Sequence, residues 1–195
     1  MIRTKVDPLW FKRCCAFHLQ FFPDREALSK LSDLQESIER NSTTPLLRVP
    51  ATSLHMTVAT LLNAATQLRI PNHEVWNRKG ERWKAIVEKL VEETAPIELH
   101  FDEVAASEAA ELRELRSAIS DAICFEHWRP TPPQIAHMTL FRFSAVEWLP
   151  AVDFDAGFLP VGVRVGSLQL LEERVCPNVD VNMLSEPLLL GRSPR

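Results

Sequence analysis

The decapeptides Ser53-Leu-His-Met-Thr-Val-Ala-Thr-Leu-Leu62 and Ile135-Ala-His-Met-Thr-Leu-Phe-Arg-Phe-Ser144 share one tripeptide, His-Met-Thr, followed each time by an aliphatic residue. Both stretches are apolar enough to read as strands. In a strand, residues two apart point the same way. His55 and Thr57 are therefore expected on one face, and His137 and Thr139 on the corresponding face of the second copy, with Leu54, Met56, Val58, Met138 and Leu140 turned into the core. Residue frequencies alone predict roughly 0.3 His-x-Thr triplets in such a chain. Two copies with the same middle residue, separated by nearly half the chain, point to an internal pseudo-repeat.

The chain has 195 residues, 46% hydrophobic and 25% charged, with a formal net charge of −4. That is the balance of one globular domain with a real core. A net negative chain is a poor coat for nucleic acid, since non-specific affinity comes from neutralising many phosphates. A nucleic-acid end or a small nucleotide is still a suitable ligand. Cys14, Cys15, Cys124 and Cys176 show no C-x-x-C spacing and read as reduced thiols. No apolar run follows the N-terminal basic residues, so neither a leader nor a membrane span is expected, and a cytoplasmic location follows.

We read residues 1–13 as a lead-in in which Trp10 and Phe11 pack onto a single domain, and 191–195 as a frayed tail. Cys14 to Phe22 reads as a buried strand. Ala27, Leu31, Leu34 and Ile38 follow helical spacing, as do Trp83, Ile86, Val87, Leu90 and Val91. Ile97 to Val104 alternates like a half-buried strand, and Ser107 with Glu111 marks a helix start ahead of Leu112, Leu115, Ile119 and Ile123. Val161 to Val175 and Val181 to Leu190 read as two final strands around a turn at Pro177 and Asn178. Without a Gly-rich strand-to-helix turn, a doubly wound nucleotide-binding sheet does not fit. The expected class is α+β, antiparallel sheets with helices outside.

Two outward His/Thr pairs suit phosphoryl chemistry. One imidazole takes a proton from the attacking hydroxyl or water, the other protonates the leaving oxygen, and the hydroxyls hold non-bridging oxygens. Nothing in this division requires a metal or other cofactor, and the scattered His, Cys and Asp residues make a poor zinc set.

The paired motifs resemble those of the 2H phosphoesterase superfamily, which includes bacterial RNA 2′,3′-cyclic phosphodiesterases, also called 2′-5′ RNA ligases. The resemblance covers about Cys14 to Leu190, but only the two motifs are specific. It implies a bilobal, pseudo-twofold α+β fold with a central cleft. It also implies metal-independent phosphodiesterase action on 2′,3′-cyclic phosphates or 2′-5′ bonds in RNA ends or small nucleotides. His55 and His137 would be the acid/base pair, and Thr57 and Thr139 would bind phosphate. The longer match His137-Met-Thr-Leu-Phe-Arg142 adds Arg142 as a phosphate contact. In an unbroken strand, however, Arg142 has the parity of Met138, so a bulge would be needed to turn it into the cleft. Leu54 and Ala136 stand where such motifs often carry proline, and the chain has no tyrosine, so base stacking would fall to Phe or Trp.

His18 reads as a hydrogen-bonded core or cleft-wall residue, and His73, His100 and His127 as surface residues. Phe141 shares the parity of His137. Competing readings are a binding module that keeps the cleft without turnover, and a purely structural protein. No obligate protein partner is inferred. Which histidine is base and which acid stays open at this level.

Overall fold

Leu19, Met56, Val58, Leu61, Leu168 and Leu170 are fully buried, and they mark the strands on which the molecule is built. The computed structural model describes residues 2–3, 6–42, 46–65, 68–101, 109–143, 148–149 and 161–191. In chain order the elements are β1 (Ile2–Arg3), β2 (Arg13–Phe21), α1 (Arg25–Asn41), β3 (Leu46–Arg48), a 3₁₀ turn (Ala51–Ser53), β4 (Met56–Leu62), α2 (Asn72–Glu93), β5 (Ile97–Phe101) and α3 (Ala110–Ala122). The order continues with β6 (Phe141–Phe143), β7 (Trp148–Leu149), β8 (Val161–Val165), β9 (Ser167–Val175), β10 (Asp180–Met183) and β11 (Leu188–Leu189).

The pairings among these strands are antiparallel. The main sheet runs β10-β9-β2-β4, with β11 also on β9, and three two-stranded pairs join β1 to β7, β3 to β6 and β5 to β8. The main core lies where β2, β4 and β9 meet α2, α3, β5 and β8. A smaller cluster of Leu31, Val49 and Leu54, with Trp10, Met138 and Leu140 against it, sits under α1.

Each helix follows its apolar spacing. Asp24 caps α1 by accepting from the Ala27 N–H at 2.8 Å, as an N-cap carboxylate does. Trp83 on α2 is buried between Trp76 and Trp128, and Trp76 stacks on Phe17 at 4.3 Å between ring centroids. β5 shows the expected alternation of buried and exposed residues, although Asp102 to Val104 and the Ser107 helix start lie outside the described residues, as does the tail beyond Gly191.

Two expectations fail at strand ends. The run from Val161 to Val175 is two strands, because the chain changes partners at Gly166: β8 pairs with β5 and β9 with β2. Val181 to Leu190 likewise divides into β10 and β11, which meet β9 at different places. Apolar periodicity reports burial and is blind to a change of partner. In the lead-in, Trp10 joins the smaller cluster, while Phe11 is half exposed. No helix is long and apolar enough to cross a membrane among the described residues.

One buried cation ties the two motif segments together. Arg116 sits on the inward face of α3 with Leu112, Leu115 and Ile119 and is only 2% exposed. Its Nε donates to Val58 O at 3.1 Å, and its Nη2 donates to Thr57 O at 3.0 Å and to Ile135 O at 3.3 Å. The Thr57 and Ile135 carbonyls therefore stand no farther apart than those last two distances combined. A second tie runs through Gln35 of α1, whose Nε2 donates to Val49 O at 3.0 Å and Leu140 O at 2.9 Å, while the Val49 N–H donates to Leu140 O at 3.0 Å. Arg116→Met fills similar space but donates nothing, leaving buried carbonyls unserved. It should lower unfolding free energy by about 3 kcal/mol, read from the urea midpoint; a loss under about 0.5 kcal/mol would show that the clamp holds little.

Candidate functional site

The first motif lies at the mouth of β4. His55 stands one residue before the strand and Thr57 within it, both half-buried, while Met56 and Val58 are fully buried on the opposite side. The alternation expected of this copy runs from Leu54 to Val58 and breaks at Ala59, which is buried like Val58 before it.

The second motif is not a strand. His137 to Leu140 lies outside the ladder, and pairing with β3 begins only at Phe141. Main-chain and side-chain bonds from Val49 and Gln35 to Leu140 O hold the segment instead. Strand parity therefore does not govern residues 137–140, which removes the objection to Arg142 that an unbroken strand would raise. His137 is exposed, Thr139 and Phe141 are half-buried, and Met138 packs against both core clusters.

His55 is held by a specific contact. Its Nδ1 lies 2.8 Å from Ser53 O, a group that can only accept, so Nδ1 carries the hydrogen and Nε2 is left as the basic nitrogen. Burial pushes the imidazole below its ordinary value of 6.5. The bond to Ser53 O and the Glu173 carboxylate oppose that shift, and the positive fields of His18 and Arg142 add to it. The Phe22 ring stands 6.2 Å away, tilted 45°.

His18 is half-buried and hydrogen-bonded. Its Nδ1 lies 3.1 Å from Thr60 Oγ1, and its Nε2 lies 3.5 Å from Glu173 Oε2. Burial raises the Glu173 pKa, but hydrogen bonds from His18 and the Asn178 N–H, together with the fields of His18 and His55, outweigh it and hold the carboxyl below its usual range.

Arg142 lies in β6 with its Nε 3.1 Å from Asp7 Oδ2. The N–H is not aligned for a hydrogen bond, so the contact is an ion pair by proximity. Its charge nonetheless reaches His55. His73, His100 and His127 are exposed. The four cysteines are unpaired, and burial, with Glu173 next, pushes Cys14 and Cys176 up to about 12, too high for a thiolate near neutral pH. Among the described residues, no group of three or more His, Cys, Asp or Glu converges as a metal set would.

The structure thus brings Thr57 and the approach to His137 to one guanidinium, and places His18, Glu173 and Arg142 within electrostatic reach of His55. Sequence reasoning missed Arg116, Gln35, Ser53 and Glu173. An arginine on the inward face of α3 is the one signal among them that could have been found.

No protein-family profile and no curated protein sequence matches this chain. Solved structures do. The crystal structure of TT0787 of Thermus thermophilus superposes with a TM-score of 0.60 at 18% identity, covering 90% of this chain and 98% of that one. A crystal structure of a phosphoesterase gives 0.56 at 16%, covering 90% and 98%. E. coli LigT complexed with phosphate gives 0.57 at 13%, covering 92% and 99%. Over nine-tenths of its length, this chain has the α+β fold of LigT and the phosphoesterase structures, the fold of the 2H phosphoesterases that its two His-Met-Thr motifs resemble.

Proposed function

We propose that this protein is a metal-independent phosphodiesterase acting on 2′,3′-cyclic phosphates or 2′-5′ bonds of RNA ends or small nucleotides. The observation that carries the reading is that Arg116 joins the first motif to the residue two before His137, with one histidine presenting a bare, oriented Nε2.

In this reading His55 is neutral at pH 7, because burial disfavours its charged form. Its Nε2 takes the proton of the attacking water. His137 gives a proton to the ribose oxygen that leaves, and on release of product the two exchange protons with solvent. The hydroxyls of Thr57 and Thr139 donate to the non-bridging oxygens, whose charge grows as the phosphorus becomes five-coordinate. Arg142 adds a fixed positive charge at the same place, and its Asp7 partner holds the side chain there.

A second reading, nucleotide binding without turnover, is favoured by His137, which has no hydrogen-bond partner to orient it among the described residues. LigT has been crystallised with NADP+, 3′-AMP and ATP, and a cleft of this fold can serve binding alone.

Incubation with 2′,3′-cyclic mononucleotides and a 2′-5′ dinucleotide in chelator should yield ring-opened monophosphate or cleaved product. His55→Ala and His137→Ala should each lower kcat by about 10²- to 10⁴-fold. Full activity in both, or none in the wild type with EDTA, would overturn the reading. Arg142→Ala should raise KM about tenfold or more with a smaller change in kcat. The acid limb of kcat/KM against pH should lie below 6.5, where His55 becomes protonated.

Stability should follow the same group. A histidine whose folded pKa is depressed contributes stability that is complete above its unfolded value and is lost as pH falls toward the folded one. The urea midpoint should therefore be level from about pH 7 to about 8, below the range where unfolded thiols ionise but Cys14 and Cys176 do not, and decline below 6.5. His55→Gln should remove the first part of that decline, leaving the later loss below about 4.5 that comes from the depressed Glu173.

A further inference from the structure

We propose that Glu173 and Ser53 are positioning residues for His55, joined through Asn178 into a buried strut that runs from β9 to the first motif. The inference rests on the phosphodiester reading only for the chemistry His55 performs.

The strut can be followed atom by atom. His55 Nδ1–H donates to Ser53 O at 2.8 Å. Ser53 closes the 3₁₀ turn, and its Oγ donates to Asn178 O at 3.1 Å. The Asn178 N–H donates to Glu173 Oε1 at 2.8 Å, leaving Oε2 facing His18 at 3.5 Å. The Asn178 side-chain amide exchanges bonds with that of Gln20, Nδ2 to Oε1 at 2.5 Å and Nε2 to Oδ1 at 3.5 Å.

Burial makes this arrangement more than incidental. Ser53, Asn178, Glu173 and Gln20 are all under 9% exposed, and polar groups so deep are costly unless each finds a partner. Here every one does. Asn178 also has φ 51°, a left-handed backbone that asparagine tolerates better than most residues. That conformation lets one residue give its N–H to β9 and its carbonyl to Ser53.

The strut serves two ends. By pinning Ser53 it keeps a carbonyl at Nδ1, so the imidazole has one orientation and one neutral tautomer. By ending on a carboxylate it sets a negative charge near a ring that becomes an imidazolium as it takes a proton, and an interaction that strengthens on the way to the transition state accelerates the step. Among the described residues, the charged groups whose fields act on His55 are His18 from β2, Glu173 from β9 and Arg142 from β6, and of these Glu173 alone is negative. Thr60 Oγ1 lies 3.1 Å from the other ring nitrogen of His18 and helps to hold that ring beside the carboxylate.

The test uses the full chain with ¹⁵N-labelled histidine, long-range ¹H–¹⁵N spectra against pH, and kinetics on a 2′,3′-cyclic mononucleotide. His55 is assigned by its loss in His55→Gln. The wild type should show the Nδ1–H tautomer. Glu173→Gln, which keeps an acceptor for Asn178 but drops the charge, should move the His55 midpoint and the acid limb to lower pH. It should lower kcat about tenfold with KM within about twofold. Ser53→Ala should shift His55 toward the mixed tautomers of a free imidazole, and Ser53→Thr should restore the wild-type spectrum. Unmoved tautomer and midpoint in both Glu173→Gln and Ser53→Ala would overturn the strut, whatever the turnover. The expected spectra without wild-type turnover would support the strut and overturn the phosphodiester reading. If Glu173→Gln does not fold, the Ser53→Ala and Ser53→Thr pair decides by the same criterion.

Discussion

A single guanidinium joins the two segments that carry the His-Met-Thr motifs. Arg116 reaches from α3 to carbonyls of β4 on one side and of the segment before His137 on the other. β4 is at the edge of the main sheet, where carbonyls would otherwise face outward unserved. A planar fork with several donors can meet strands that run in different directions, which a sheet ladder cannot do. The second motif can therefore leave the ladder and still be placed, and Gln35 repeats the device from α1. Around these polar ties, Leu54, Met138 and Leu140 share an apolar cluster, so the buried flanks of the two motifs pack together.

The two motifs are alike in sequence but not in setting. His55 is held by Ser53 and lies within the fields of His18, Glu173 and Arg142, whereas His137 is exposed. A half-buried imidazole with one nitrogen committed is suited to taking a proton; an exposed one exchanges protons readily with solvent. The proposed division of acid and base work, open when only the two tripeptides are compared, rests on this difference in burial and on one backbone carbonyl.

What could be read from the residues was whatever periodicity and motif chemistry encode. The helical spacing of Leu31 and Leu34 or of Leu112, Leu115 and Ile119, the alternation in Ile97 to Phe101, and the first His-Met-Thr copy led to the right elements, because each depends on local geometry. The failures are equally instructive. At Gly166 the apolar pattern continues while the partner strand changes, and at His137 an apolar, strand-like run lies outside the ladder. Both depend on residues distant in the chain. Ser53, Glu173 and Asn178 carry no signature, since a serine, a glutamate and an asparagine are ordinary until folding brings them under one histidine. Arg116 alone leaves a trace in the sequence, as a charge on a face otherwise made of leucine and isoleucine.

The central claim is that one phosphoryl group touches both motifs. A crystal structure with a slowly cleaved 2′,3′-cyclic phosphorothioate nucleotide tests it directly. The account predicts the phosphorothioate between the two rings, its oxygens within about 3 Å of His55 Nε2 and a His137 nitrogen and in reach of the Thr57 and Thr139 hydroxyls. A ligand bound elsewhere, or imidazoles too far apart to touch the same group, would contradict it.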